Sequence, residues 1–123
     1  MYLPDTNVFI LAAEAKEPDK RFLEKAIAKK QIYLSVIAIG EFLSQASDEA
    51  ETKFNALIAR FPILTVDLET AKLAAEYRNL SFKTKRVHLL DCFLAAQAKL
   101  NNLTLVTNNK SDFPMKDIKV ITP

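Results

Sequence analysis

Three carboxylates lie in apolar surroundings where an unpaired charge would be unfavourable, and chemistry is expected at these residues. Asp5 ends the apolar run at residues 2–4, Glu41 lies in the apolar segment after Ser35, and Asp91 lies in the most apolar segment of the chain. Burying an ionised carboxylate is costly unless a cation, a metal ion or several hydrogen-bond donors compensate it. Each acid could instead have its own local partner, as Asp5 would by capping the next helix. That alternative is weaker for three acids than for one.

Strands and helices alternate in the predicted secondary structure, because short apolar runs alternate with amphipathic segments. Together with the length of 123 residues, this predicts a single α/β domain over residues 1–123, with three layers (α/β/α) and a mostly parallel central sheet of four to five strands. Strands are predicted at residues 2–5, 32–34, 63–66, 103–106 and 118–121, the last at an edge. Helices are predicted at residues 7–16, from 18 onward, 36–47, around 54–58, 67–80 and 88–100. Ser35 is expected to be the N-cap of the third of these helices, and Asp67 the N-cap of the fifth.

A parallel sheet would gather the acids at one edge. Asp5 and the polar loop at residues 107–112 both follow strands, so both belong to the C-terminal edge, where open α/β sheets place their sites. Asp91 lies near the start of the helix that leads into the fourth strand. Glu41 lies about 9 Å along its helix from Ser35, at about 1.5 Å per residue, which would let it lean over the first strand.

Composition excludes several classes of protein. Gly40 is the only glycine, which rules out the glycine-rich phosphate loops of Walker A and dinucleotide-binding proteins. Cys92 has no internal disulfide partner, and no cluster of Cys and His indicates zinc. The net charge of +2 permits nucleic-acid binding without requiring it. No signal peptide or membrane span is evident, so the expected compartment is the reducing cytoplasm.

Carboxylates without His or Cys suit hard divalent cations such as Mg²⁺ and Mn²⁺. Such a cation lowers the pKa of bound water and neutralises charge that develops during attack on phosphorus. The acids therefore indicate metal-assisted hydrolysis of a phosphate ester.

The sequence resembles the PIN-domain nucleases, and in particular the small VapC-type ribonuclease toxins. The resemblance covers nearly the whole chain, and its motifs are specific as an ordered set. They are Leu3-Pro4-Asp5-Thr6-Asn7, Ser35 through Gly40-Glu41-Phe42, Leu90-Asp91-Cys92-Phe93-Leu94-Ala95-Ala96, and Leu105-Val106-Thr107-Asn108-Asn109 leading to Asp112-Phe113.

The resemblance implies a metal-dependent endoribonuclease with Asp5, Glu41 and Asp91 at three metal-site positions. Many relatives carry a fourth acid where this chain has Asn109, and Asp112 is expected to complete the site from further along the loop. We therefore assign Asp5, Glu41, Asp91 and Asp112 as catalytic. The side chains expected to fix the orientation of the carboxylates by hydrogen bonding, without binding the metal themselves, are those of Asn7, Thr107 and Asn109. Thr6 is expected to contribute to the same support.

The resemblance also implies a homodimer, a cognate antitoxin and an RNA substrate. The basic residues Lys83, Lys85, Arg86 and Lys110 are candidates for contact with the RNA backbone. The reading in which they are only solvated is about as strong.

Two rival functions remain open. The first is an RNA-binding or partner-binding module with a site too depleted to cut, for which Asn109 is the evidence. The second is a small-molecule phosphohydrolase, which the short chain disfavours because it leaves little room for a cap domain. His88 is expected to face solvent, Cys92 to be a small buried side chain, and Gly40 to allow close approach of the first strand or its loop.

Overall fold

The computed structural model describes residues 1–80 and 87–123. Five short strands alternate with six α-helices and one 3₁₀ turn in this part of the chain. In chain order the elements are β1 (Tyr2–Pro4), α1 (Thr6–Ala13), α2 (Asp19–Ala28), β2 (Leu34–Ser35), α3 (Val36–Leu43), α4 (Asp48–Ile58), β3 (Ile63–Leu64), α5 (Leu68–Leu80), α6 (Leu89–Leu100), β4 (Thr104–Val106), the 3₁₀ turn Lys110–Asp112, and β5 (Lys119–Ile121). No helix in the described ranges is both long enough and apolar enough to cross a membrane.

The strand pairs of the described residues are all parallel. One sheet has the order β1-β4-β5, and a second pairs β2 with β3. A parallel bridge between Tyr2 and Ile32 links the two sheets, and the Tyr33 amide donates to the Tyr2 carbonyl at 2.9 Å. The predicted parallel sheet and the edge position of the last strand are therefore confirmed.

The sheet divides the hydrophobic core into two halves, as three layers require. Leu3 and Leu105 face the half formed largely by α5 and α6. Val106 faces the other half, which α1 to α4 cover with the rings of Phe9, Phe42 and Phe54. Because successive strand residues point to opposite faces, the neighbours Leu105 and Val106 serve different halves. Cys92 is fully buried, as expected.

Several element ends differ from the sequence-based prediction. The helix predicted at residues 36–47 ends at Leu43, because Ser47 caps the next helix by accepting from the Ala50 amide at 3.2 Å. The helix predicted to reach residue 16 ends at Ala13, and Ala15 has a positive φ. The caps predicted at Ser35 and Asp67 are confirmed, since Ser35 accepts from the Ile37 amide and Asp67 from the Thr70 amide and hydroxyl.

A buried glutamine fixes α6 against the start of α3. Ser35 Oγ donates to Gln97 Oε1 at 2.5 Å, and Gln97 Nε2 donates to the carbonyls of Leu64 and Thr65. Gln97 is 1% exposed, so these bonds replace water that it cannot reach. These bonds fix the position of α6, which carries Asp91, relative to the start of α3, which carries Glu41.

The explanation expected for Gly40 is wrong. Outside its own helix, no atom of the described residues lies within 4 Å of a Cβ built at this position. The residue is exposed in the middle of α3 and has no positive φ. Its cost to the helix is therefore not offset by packing within the described chain.

We predict that Gly40→Ala raises the free energy of unfolding by roughly 0.5–1 kcal/mol, because alanine loses less backbone entropy in a helix. Urea denaturation measures the change. Ala75→Gly, at an exposed position within α5, is the matched reverse substitution and should lower stability by a similar amount. A destabilised Gly40→Ala protein would contradict the open environment described.

Candidate active site

Asp5 lies at the junction of β1 and α1 and is 8% exposed. Its Oδ1 accepts from the Thr6 amide at 2.7 Å, which caps α1. Its Oδ2 accepts from Thr107 Oγ1 at 3.0 Å and from Asn7 Nδ2 at 3.1 Å. Thr107 reaches Asp5 because β1 and β4 are parallel neighbours, with Pro4 opposite Val106. Both carboxylate oxygens are thus held by neutral donors.

Burial raises the pKa of Asp5 above its usual value. The hydrogen bonds from Thr107 and Thr6 oppose this by stabilising the anion, while the nearby charges of Glu41 and Asp112 raise the pKa further. Asp5 therefore loses its proton less readily than an exposed aspartate does, and a nearby cation would favour the charged form.

Glu41 reaches the same region from α3 and is linked to Asp5 through Thr6. Thr6 Oγ1 donates to Glu41 Oε1 at 2.7 Å, while the Thr6 amide donates to Asp5. The expectation that Glu41 is buried is wrong, because its side chain is exposed. The apolar residues of α3 pack against the core, and Glu41 lies on the opposite, exposed face.

Asp91 lies in the first turn of α6 and is partly buried. Burial is the largest cause that raises its pKa, to about 6, followed by the charges of Asp5 and Asp112, with a smaller contribution from Glu41. His88 lies close enough to lower this pKa, but does not cancel the rise. His88 is exposed, as expected.

Asp112 ends the 3₁₀ turn that follows β4, and its charge acts on both Asp5 and Asp91. Asn109 precedes this turn, and its amide donates to Thr107 Oγ1 at 3.1 Å. Asn7 Nδ2 also lies 3.4 Å from Thr107 Oγ1. The four predicted acids and the three predicted supporting residues are therefore near neighbours at the C-terminal edge of the sheet.

The structure describes one of the four basic residues that were predicted to contact RNA. Lys83, Lys85 and Arg86 lie outside the described residues. Lys110 is exposed in the turn that carries Asp112.

Sequence reasoning missed one polar pair behind the acids. Asp19 is 2% exposed at the start of α2, and its Oδ2 accepts from Asn108 Nδ2 at 2.6 Å. An acid in a first helical turn is ordinary at the surface, so no pattern in the sequence distinguishes it.

The donor set fits a hard divalent cation, because it offers carboxylate oxygens, which are the ligands that Mg²⁺ and Mn²⁺ prefer. In the described parts of the chain, no lysine or arginine forms an ion pair with Asp5, Glu41 or Asp91; the ion pairs there join exposed residues of the helical surface. No three acidic, His or Cys side chains of the described ranges converge closely enough to hold an ion in their present positions. Metal binding would therefore require side-chain movement.

The model of the PIN domain family matches residues 2–119. This chain belongs to the PIN domain family. The resemblance stated from the motifs is thus confirmed. The expected α/β/α fold is confirmed too, because the family model and the solved structure described next both cover almost the whole chain.

Ribonuclease VapC2 from Rickettsia felis is 28% identical over 124 residues, covering 92% of this chain and 90% of that protein. A toxin–antitoxin complex from Klebsiella pneumoniae contains a chain with a TM-score of 0.84 and 26% identity, covering 100% of this PIN domain chain and 98% of the other. The structure of VapBC2 from Rickettsia felis, bound to a promoter DNA fragment, contains a similar chain with a TM-score of 0.79 and 22% identity. The similarity covers 99% of this chain and 98% of the other.

The raised pKa of Asp91 gives the metal-free PIN domain a contribution to stability that decreases as pH rises. The folded protein binds this proton more tightly than the unfolded chain does, so the contribution of Asp91 falls between about pH 4 and pH 6 and stays low above that. We expect Asp91→Asn to raise the free energy of unfolding near pH 7 by roughly 1 kcal/mol, allowing for solvent screening of a half-exposed group.

Urea denaturation with EDTA present, near pH 7 and near pH 4, measures this effect. The gain should shrink at the lower pH, where the wild-type carboxyl is protonated. Glu51→Gln, at an exposed acid of α4, should show no gain. An Asp91→Asn protein that is less stable than the wild type near pH 7 would contradict the repulsion described.

Proposed function

We propose that this protein is an endoribonuclease that hydrolyses RNA phosphodiester bonds with Mg²⁺ or Mn²⁺ bound by Asp5, Asp91 and Glu41. The observation that carries the proposal is the buried Asp5, held by neutral donors and placed beside three further acids at the sheet edge of a PIN domain. The ribonuclease VapC2 of Rickettsia felis, similar over nearly the full chain, supports RNA as the substrate.

The residues of this chain have separate parts in the proposed reaction. When bound, the cation would lower the pKa of water and neutralise charge at the phosphate. Asp5 is the anchor, because Thr6, Asn7 and Thr107 restrict its rotation. Asp91 gives up its proton more readily once a cation balances its neighbours. Glu41 and Asp112 complete the acidic cleft and orient the attacking water.

The acids also explain why RNA would not bind productively without a cation. Four carboxylates at one edge repel a phosphodiester backbone, so its approach needs positive charge in the cleft. Lys110, beside Asp112, is one candidate for contact with the backbone, and Lys83, Lys85 and Arg86 remain candidates by sequence alone.

A binding module that has lost cleavage is the second candidate function. It is favoured by the amide at Asn109, where many relatives have an acid, and by the absence of three converging acids in the described residues. The two functions differ in one measurable respect, because a depleted module would bind RNA without acid-dependent Mn²⁺ binding.

We predict that Asp5→Asn and Asp91→Asn each lower the rate of RNA cleavage by roughly 1,000-fold, since metal charge stabilisation supplies several kcal/mol. The assay is cleavage of a structured RNA with Mg²⁺ or Mn²⁺ and with EDTA. Glu51→Gln should cleave at the wild-type rate. Cleavage that persists in EDTA or in Asp91→Asn would refute the metal assignment.

We further propose a cognate antitoxin as the protein partner, acting in the cytoplasm, and a homodimer as the assembled form. The similar chain in the toxin–antitoxin complex from Klebsiella pneumoniae supports the antitoxin. An apolar groove of about 480 Å³ between α1, α2 and α4 would suit an amphipathic helix of that partner. It is lined by Phe9, Ala12, Leu23, Ile27, Phe54 and Leu57, and the pairs Lys20–Glu24 and Lys53–Glu49 flank it.

The groove can be tested with Ala13→Arg, which places a long cation on its exposed rim. Affinity for the antitoxin should fall about 10-fold or more, because burying an unpaired charge opposes binding. Titration calorimetry with the protein encoded by the adjacent reading frame measures the affinity. Ala75→Arg, on the exposed face of α5, is the control. Equal affinity of the two variants would place the antitoxin elsewhere.

A further inference from the structure

Asp19 is a buried acid that none of the proposed steps uses. It is the first residue of α2 and is 2% exposed, whereas the other acids of the first turns of α4 and α5 are exposed. Among the described residues, the group that donates to its side chain is not a cation but an amide, Asn108 Nδ2, at 2.6 Å. No lysine or arginine of the described residues pairs with this buried carboxylate, and the donor to it is an amide of a distant segment, which indicates a specific positional requirement at this site.

Asn108 connects Asp19 to the supporting residues of the active site. Its Nδ2 also donates to Asn7 Oδ1 at 3.1 Å, and its backbone amide lies 3.3 Å from the same oxygen. Asn7 in turn donates through Nδ2 to Asp5 Oδ2. A continuous line of hydrogen bonds therefore runs from Asp19 through two amides to Asp5.

We propose that Asp19 is a positioning residue that sets the orientation of Asp5 through Asn108 and Asn7. The proposal rests on the function proposed above, because it concerns the site where that function would occur. Asp19 lies behind the site and would not touch the metal or the RNA.

The two amides carry orientation because each has one donor end and one acceptor end. Asp19 only accepts, so the Nδ2 end of Asn108 must face it. That same end and the backbone amide of Asn108 then occupy Asn7 Oδ1, which leaves Asn7 Nδ2 to face Asp5. If Asn7 were reversed, its oxygen would face the Asp5 carboxylate and repel it. Asp19 therefore selects the one amide orientation that donates to Asp5.

The same bond ties α2 to the loop after β4. Asn108 lies between Thr107, which donates to Asp5, and the 3₁₀ turn that carries Asp112. Holding Asn108 against Asp19 therefore also fixes the start of the loop from which Asp112 enters the cleft. The effect of Asp19 reaches two of the four acids from one buried position.

If the bond between Asp19 and Asn108 only joined α2 to the loop, its loss would change the free energy of unfolding and nothing else. A positioning role predicts an additional change in how the folded protein binds a divalent cation. Supporting residues of metal ligands typically change metal affinity by about 10- to 100-fold when they are removed. Metal affinity of the folded protein therefore separates the two roles.

The experiment compares Asp19→Ala, Asn108→Ala and the double variant in two measurements. Mn²⁺ affinity is obtained from the free-ion electron paramagnetic resonance signal. The side-chain amide signals of Asn7 are followed by NMR in the metal-free protein. We expect each single variant to weaken Mn²⁺ binding about 10-fold or more and to shift the Asn7 signals, and the double variant to add little. Asp48→Ala, at the exposed first residue of α4, should leave both unchanged.

Wild-type Mn²⁺ affinity and unshifted Asn7 signals in folded Asp19→Ala and Asn108→Ala would overturn the proposal, as would fully additive effects. If Asp19→Ala does not fold, Asn108→Ala decides alone, because Asn108 is exposed. If the wild-type protein neither binds Mn²⁺ nor cleaves RNA, the proposed function fails separately. The Asn7 signals then still decide whether Asp19 orders the amides.

Discussion

The burial of the Asp5 carboxylate is the constraint on which the rest of the site depends. The parallel pairing of β1 with β4 places Thr107 beside it, and the first turn of α1 adds the amide of Thr6 and the side chain of Asn7. These donors hold the carboxylate without neutralising it. Burial and the neighbouring acids still raise its pKa, so the charged form of Asp5 is disfavoured in the folded protein. Added positive charge near the carboxylate would stabilise that form.

Each of the other acids is brought to Asp5 by a different element, so the site depends on the whole three-layer arrangement. Glu41 comes from α3, Asp91 from α6 and Asp112 from the turn after β4. Gln97 and Ser35 hold α3 and α6 together below the cleft. Packing in both halves of the core thus holds like charges close together. The raised pKa of Asp91 reflects the repulsion between these charges and the burial of its carboxylate.

Much of this arrangement could be predicted because it follows from local rules. Alternating apolar runs indicated the parallel sheet, and Ser35 and Asp67 were recognisable as caps. An acid at the end of β1 and a polar loop after β4 had to share one edge once the strands were parallel. The motifs then matched a family whose model covers residues 2–119.

What could not be predicted depends on contacts between distant segments. Glu41 was expected to be buried because its neighbours are apolar, yet the face of α3 that carries it is exposed. Asp19 has the position of an ordinary surface acid in a first helical turn, yet it is buried and accepts a hydrogen bond from Asn108. Gly40 was expected to allow close packing, and open space surrounds it. In each case periodicity shows how a helix is built but not what lies against it.

The central claim is that these carboxylates form a binding site for a divalent cation. Calorimetric titration of Mn²⁺ near pH 6, in buffers of different ionisation enthalpy, tests it most directly because it counts the protons released on binding. Asp91, with a pKa of about 6, should release a fraction of a proton as the ion binds, and Asp91→Asn should release less than the wild-type protein. Binding without proton release, or no Mn²⁺ binding by the wild-type protein, would contradict the account.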